Sequence, residues 1–235
     1  MIFRGWQKTS LIEYPDKIAT VLFCGGCNFR CPFCYNPELV LKPELLSELS
    51  DEMVFVFLNE NRSLYQAVVL TGGEPTMDPT LPDFLVRVKK LGLLTGLETN
   101  GTNPQMLRSL IELRSIDFVA LDIKAPMDWP SYRKACRLDA EELFEAVRQS
   151  LEILLGSDLN YEVRTTVVPP IHSRNDILRM GEQLKGATRY VLQQFIPDRC
   201  LEQSYRSIVP YSRDNFIEWQ KELGQYVGQC DIRTV

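Results

Sequence analysis

Short apolar runs alternate with helical periodicity along most of the chain. Ile18–Phe23, Ala67–Thr71, Leu93–Glu98, Asp117–Asp122, Tyr161–Val168 and Arg189–Phe195 are brief and rich in Val, Ile, Leu and aromatic residues. That is the pattern of strands buried on both faces. Between them, apolar residues recur at helical spacing: Phe84, Leu85, Val88 and Leu91; Leu107, Leu110 and Ile111; Leu143, Val147, Leu151 and Leu154; Ile177, Met180 and Leu184; and Phe216, Trp219 and Leu223. Asn103 before Pro104 is a good cap followed by a good first helical residue. Asp139 with Glu142 three residues later reads as a capping box, and Ser173 as the cap of the helix that follows it.

Six strands alternating with helices predict an α/β fold with a parallel sheet and right-handed crossovers. No repeat and no Gly/Ser/Pro linker divides the chain, so residues 1–235 read as one domain. Parallel α/β folds place ligands beyond the C-terminal ends of the strands. The segments just after each strand are therefore where chemistry is expected.

Composition narrows that chemistry. Charged residues are 24% of 235, with 26 Lys and Arg against 31 Asp and Glu. A net charge of −5 disfavours broad electrostatic binding to nucleic acid or to an anionic membrane. The longest apolar runs are too short to span a bilayer, and the N-terminus lacks the basic and apolar segments of a signal peptide. A cytoplasmic location is expected. Seven cysteines and a single histidine, His172, argue against a disulfide scaffold. They also argue against zinc sites built on several imidazoles.

Four of the cysteines, Cys24, Cys27, Cys31 and Cys34, follow the first strand within eleven residues. Cys27, Cys31 and Cys34 have the spacing Cys-x3-Cys-x2-Cys, which can wrap three thiolates around one iron–sulfur cluster. On a four-iron cube, three thiolates leave one iron open, as a catalytic zinc site keeps an open position. The alternatives are buried structural cysteines, or a zinc knuckle that would need Cys24 as its fourth ligand. Further candidates follow the next strands. Thr71-Gly72-Gly73-Glu74-Pro75 combines a permissive turn with a carboxylate. Glu98-Thr99-Asn100-Gly101 ends the third strand, where Asn-Gly also marks an ordinary turn. Asp122 and Lys124 end the fourth. Arg164 lies on an otherwise apolar strand and needs an anionic partner, either a ligand carboxylate or a core ion pair. Gln193, Gln194 and Phe195 can line the same cavity.

The cysteine spacing resembles the signature of the radical S-adenosylmethionine (radical SAM) superfamily. The resemblance implies a partial (β/α)6 TIM-like barrel with a short N-terminal β extension and a C-terminal helix. It implies a 4Fe–4S cluster on Cys27, Cys31 and Cys34. It implies S-adenosylmethionine contacted by Phe33, Tyr35, Gly72, Gly73, Glu74, Pro75, Thr99, Asn100, Asp122, Lys124 and Arg164. Gly-Gly-Glu-Pro would hold the methionyl amino group, Thr-Asn-Gly would face the ribose, and Asp122 and Lys124 the nucleoside and methionine.

Within the superfamily the chain is similar to the glycyl-radical activating enzymes, above all the activators of anaerobic ribonucleoside-triphosphate reductase. Gly5–Pro15, Cys27–Leu39, Leu121–Pro126, Arg164–Pro169 and Val191–Pro197 carry that similarity. It implies a one-electron donor such as flavodoxin or ferredoxin. It also implies a 5′-deoxyadenosyl radical that takes a hydrogen atom from a glycine Cα of a partner, an anaerobic ribonucleotide reductase. Tyr35 departs from the pattern, because such activators often have His there. Cys136, Cys200 and Cys230 read as bystanders. The competing readings are a small-molecule radical enzyme resembling 7-carboxy-7-deazaguanine synthase, an RNA-modifying enzyme, and a non-enzymatic iron–sulfur carrier. The negative charge weighs against the second, and the open iron has no use in the third.

Overall fold

The structure is a computed structural model that describes residues 1–234. The six apolar runs fold as strands, each within two residues of its expected ends. The chain falls into two compact units. The first comprises Met1–Asn28, Glu38–Thr99 and Asn103–Ala120; the second comprises Phe29–Pro37, Asn100–Thr102 and the chain from Leu121 onward.

In the first unit, β1 (Ile2–Ser10) is the expected N-terminal extension. It runs antiparallel to β2 (Ala19–Cys24) on one side. On the other it pairs with the two-residue β3 (Leu49–Ser50). Strands β2, β4 (Ala67–Gly72) and β5 (Leu94–Thr99) are parallel neighbours. The helices of this unit are α1 (Pro37–Leu41), α2 (Asp51–Asn61), α3 (Leu81–Lys90) and α4 (Pro104–Glu112). Tyr14, Ala19, Val21, Ala67, Val69, Phe118 and Ala120 close into one apolar cluster. On the other face of the same strands Leu22, Val68 and Leu70 are also buried. Burial on both faces explains why these runs show no polar alternation. Phe84 of α3 packs edge-on against Phe3 at 5.1 Å and tilted against Phe55 at 5.2 Å, joining α3 and α2 to β1.

β6 (Phe118–Asp122) begins in the first unit and ends in the second. The second unit continues with α5 (Trp129–Cys136), α6 (Glu141–Leu155), β7 (Asn160–Val167), α7 (Arg174–Gln183), β8 (Arg189–Gln194), α8 (Arg213–Leu223) and β9 (Gln229–Arg233). β7, β8 and β9 are parallel. One face of this sheet buries Val163, Tyr190 and Leu192. The other is charged: buried Glu162 meets Arg164, Arg233 at 2.9 Å and Arg189 at 3.4 Å, while Arg189 also meets Asp231 at 2.6 Å. β9 was not expected, because Gln229-Cys-Asp-Ile-Arg233 carries too few apolar residues to stand out as a run.

Caps explain where several helices begin. Asn103 accepts from the Met106 amide at 3.1 Å, as its sequence position predicts. Ser173 forms a full capping box with Asp176, and Ser212 another with Asn215. The expected box at Asp139 does not form. Helix α6 starts at Glu141, so Ala140 takes the cap position without a side-chain bond. Asp139 lies one residue too early, and Glu141 and Glu142 instead place negative charge against the helix N-terminus.

Candidate active site

The first unit lays the Gly-Gly-Glu-Pro element against the cysteine loop. Gly73 N–H donates to the Cys24 carbonyl at 2.9 Å, and Glu74 N–H donates to that of Gly26 at 2.8 Å. A Cβ on Gly73 would lie 1.8 Å from the Gly26 oxygen, and Gly72 has φ of +113°. The close approach that these glycines permit is therefore to the loop's own main chain. Cys27 follows directly and is half-buried.

Glu74 is buried, and its Oε1 accepts from the Thr76 amide at 3.0 Å, the Thr76 hydroxyl at 2.5 Å and the Thr99 hydroxyl at 2.7 Å. Such donors stabilise an ionised carboxylate. Pro75 opens a short 3-10 turn, Pro75–Met77, whose first residues are buried. The Asn103 side chain ties this turn to α4 by donating to the Thr76 carbonyl at 3.0 Å. Thr71 donates to Glu98 at 2.6 Å across β4 and β5. Cys24 is buried beside Glu74 and Asp78, and burial followed by those carboxylates pushes its thiol far above the ordinary range. A thiol kept protonated is a poor metal ligand, which sets Cys24 apart from Cys31, a cysteine of the same loop that is drawn toward thiolate.

The second unit holds the rest. Asn100 accepts from the Thr102 amide at 3.0 Å and hydroxyl at 2.7 Å, forming a side-chain turn. Gly101 has φ of +80°, and a Cβ there would meet Leu121 at 2.7 Å. Ser150 of α6 donates to its carbonyl at 2.6 Å. Phe33 is buried, whereas Tyr35 is 47% exposed. Cys31 is buried and Cys34 half-buried, with the Cys34 amide donating to the Cys31 carbonyl at 3.0 Å. The Cys136 thiol hydrogen-bonds Cys31 and, with the Lys124 ammonium, draws it toward thiolate against the effect of burial. Cys34 is shifted up, first by burial. Lys124 meets Asp122 at 2.8 Å. Burial opposes its charge, but Asp122 and Cys31 outweigh that and keep the ammonium protonated.

Arg164, carried as a candidate for a ligand carboxylate or a core ion pair, lies on the charged face of β7 and pairs with Glu162. Gln194 donates to the Tyr211 carbonyl at 2.9 Å, and Phe195 is buried.

Three residues at this site were given no role by the sequence: Cys136, which read as a bystander yet hydrogen-bonds Cys31, Tyr132, and His172, counted only as the lone histidine; all are fully buried. Cys136 stands about a hundred positions from Cys31, and no spacing rule links them. His172 donates from Nε2 to the Lys124 carbonyl at 3.0 Å, because its Nδ1 accepts from the Val168 amide at 3.0 Å. Burial lowers its pKa to about 4, so the ring is neutral at neutral pH.

The donor set fits an iron–sulfur cluster. Cys27, Cys31 and Cys34 are thiols on one short loop, and a lysine beside Cys31 favours its thiolate. Among the described residues, no three His, Cys, Asp or Glu side chains form a ready-made metal group. No helix among the described residues is long and apolar enough to cross a membrane.

Comparison with known proteins adds four findings. The family profile of the Radical SAM superfamily matches residues 21–184. A protein of Methanocaldococcus jannaschii, provisionally named a glycyl-radical enzyme activating enzyme, is 29% identical over 98% of this chain and 95% of its own. The pyruvate formate-lyase-activating enzyme of Streptococcus mutans is 27% identical over 88% of this chain and 76% of its own. Among solved structures, Streptococcus suis SuiB bound to S-adenosylmethionine superposes with a TM-score of 0.66 at 12% identity, over 91% of this chain and 52% of that one. The fold is the α/β partial barrel expected from the sequence.

Proposed function

The chain belongs to the Radical SAM superfamily and is an enzyme whose cofactors are a 4Fe–4S cluster and S-adenosylmethionine; from that premise we propose that it activates a glycyl-radical enzyme, specifically an anaerobic ribonucleotide reductase. The observation that carries the activase role is the likeness to an activating enzyme over nearly the full length of both chains. The reductase as partner rests on the resemblance of the Gly5–Pro15, Cys27–Leu39 and Leu121–Pro126 segments.

Bound at this site and reduced by an external one-electron donor of the flavodoxin or ferredoxin kind, the cluster and S-adenosylmethionine would supply the radical chemistry that removes a hydrogen atom from a glycine Cα. Residues 1–235 act as one core around this step. Cys27, Cys31 and Cys34 hold the cluster. Gly72 and Gly73 bring the Glu74 turn onto the loop that carries Cys27, and Glu74 receives the methionyl ammonium. Lys124 receives the methionyl carboxylate, with Asp122 setting the direction of its ammonium. Thr99 and Asn100 face the ribose. Phe33, Pro75 and the exposed Tyr35 contact S-adenosylmethionine. Arg164, paired with Glu162, is the further candidate to contact the cofactor carboxylate. The side chains exclude water and orient, while the cofactor carries the difficult chemistry.

The test is electron paramagnetic resonance of a candidate reductase mixed with the reduced, reconstituted protein and S-adenosylmethionine. A glycyl-radical doublet is expected. Cofactor cleavage without a doublet would replace the activase role with radical chemistry on a small molecule, such as that of 7-carboxy-7-deazaguanine synthase.

A further inference from the structure

Where β6 leaves the sheet, its main chain runs into a buried region without strand partners. Ile123 is the last residue held in the usual way, its amide donating to the Arg164 carbonyl at 2.8 Å. Its carbonyl accepts from the Thr165 hydroxyl at 2.8 Å, which itself accepts from the Tyr190 hydroxyl at 2.9 Å. At Lys124 side chains take over both main-chain groups. The Lys124 amide donates to the Tyr132 hydroxyl at 3.1 Å, and its carbonyl accepts from His172 at 3.0 Å. Buried main-chain groups must be paired, so each of these bonds replaces a missing strand neighbour.

Both partners are themselves held by packing and hydrogen bonds. Tyr132 is fully buried on α5, with its ring 5.3 Å from Phe144 and 6.5 Å from Phe29. His172 is also fully buried. Its amide donates to the Val168 carbonyl at 2.8 Å, and its carbonyl accepts from Tyr211 at 2.8 Å. Two long-range side chains therefore fix the root of one lysine whose ammonium stands by Asp122 and the thiol of Cys31.

We propose that His172 and Tyr132 clamp the main chain of Lys124 and are positioning residues for its ammonium. This rests on the reading of Lys124 as the group that receives the methionyl carboxylate. The ammonium sits at the end of a four-carbon stem, and a small shift of the stem's root is magnified at its tip. The clamp removes that freedom before the ligand arrives, so less ordering is left to binding.

The test uses anaerobically reconstituted full-length protein of matched iron content. His172→Asn keeps an acceptor for the Val168 amide but loses the donor to Lys124. His172→Gln keeps the donor. S-adenosylmethionine affinity, measured by calorimetry, is expected to fall about tenfold in His172→Asn and to stay within about threefold of the parent in His172→Gln. In a Lys124→Met background, adding His172→Asn should weaken binding no further, since the histidine acts through the lysine. Equal losses in both backgrounds would overturn the clamp.

Hydrogen exchange over residues 121–126 judges the clamp independently of the cofactor. Faster exchange is expected in His172→Asn and in Tyr132→Phe, and unchanged protection in both would overturn it. If Lys124→Met leaves affinity unchanged, the assigned role of Lys124 fails, and the clamp stands or falls on exchange alone.

Discussion

At the scale of single residues, environment decides which of several chemically equal groups takes part. Cys24 and Cys31 are both buried thiols. One faces carboxylates and is held protonated, while the other faces a thiol donor and a lysine and is drawn toward thiolate. Cys31→Ala is therefore expected to abolish reductive cleavage of S-adenosylmethionine, measured as 5′-deoxyadenosine formed by the reconstituted protein. Cys24→Ser should leave iron per chain unchanged, and loss of iron would make Cys24 a ligand. Glu74→Ala should weaken cofactor binding more than cluster assembly, which parallel calorimetry and iron analysis would read.

The histidine adds a pH dependence to stability. Unfolded, it protonates near its ordinary value of 6.5; folded, only near about 4. Between those values the unfolded chain takes the proton first. The contribution of neutral His172 is therefore complete above about pH 6.5 and is lost as pH falls toward 4, by about 3 kcal/mol in all. Denaturation midpoints at pH 7 and pH 4.5 should separate less in His172→Asn than in the parent; an equal separation would count against this origin. The cysteine spacing was visible in the sequence because it is local. The roles of Cys136, Tyr132 and His172 were not, because their partners come together only through packing.

At the scale of elements, the strands were legible because burial on both faces leaves uninterrupted apolar runs. The antiparallel extension, the six central strands and the helix near the C-terminus all appear. β9 and the two-residue β3 were not legible, since neither carries an apolar run. Caps divide in the same way. Ser173 and Asn103 stand where helices start, whereas Asp139 matches the pattern one residue from the true cap. Ser173→Ala should cost about 1 kcal/mol in chemical denaturation, and Asp139→Ala should stay within about 0.5 kcal/mol of the parent. The glycine pair was read as room for a ligand. In the structure that room is taken by the turn between Cys24 and Cys27. Gly73→Ala cannot avoid the Gly26 oxygen without moving main chain. It is expected to lower the melting temperature and the iron bound together, and retention of both would show that the turn can shift.

At the scale of the whole molecule, the family came from one short loop and the activase reading from segments spread along the chain. Length and charge served mainly to exclude. In the second unit, carboxylates and guanidinium groups neutralise one another on the face of β7, β8 and β9. That arrangement was not legible, because Glu162, Arg189, Asp231 and Arg233 belong to three strands separated by helices. Arg164 alone stood out, as a charge on an apolar strand.

The outermost strands have a consequence for handling. β3 and β9 end the strand order, and an end strand offers its open row of main-chain groups to any neighbouring molecule. β3 offers only two residues and pairs only with Ile2 and Phe3 of β1, so the outer edge of that side is formed mainly by β1 itself. β9 carries Asp231 and Arg233, whose side chains are turned to ion pairs across the sheet, and charges held inward in this way are one means of blunting a sheet edge. Concentrated solutions, of the kind that spectroscopy on a dilute paramagnet demands, should therefore associate, if at all, along β1 rather than β9, which light scattering against concentration would read.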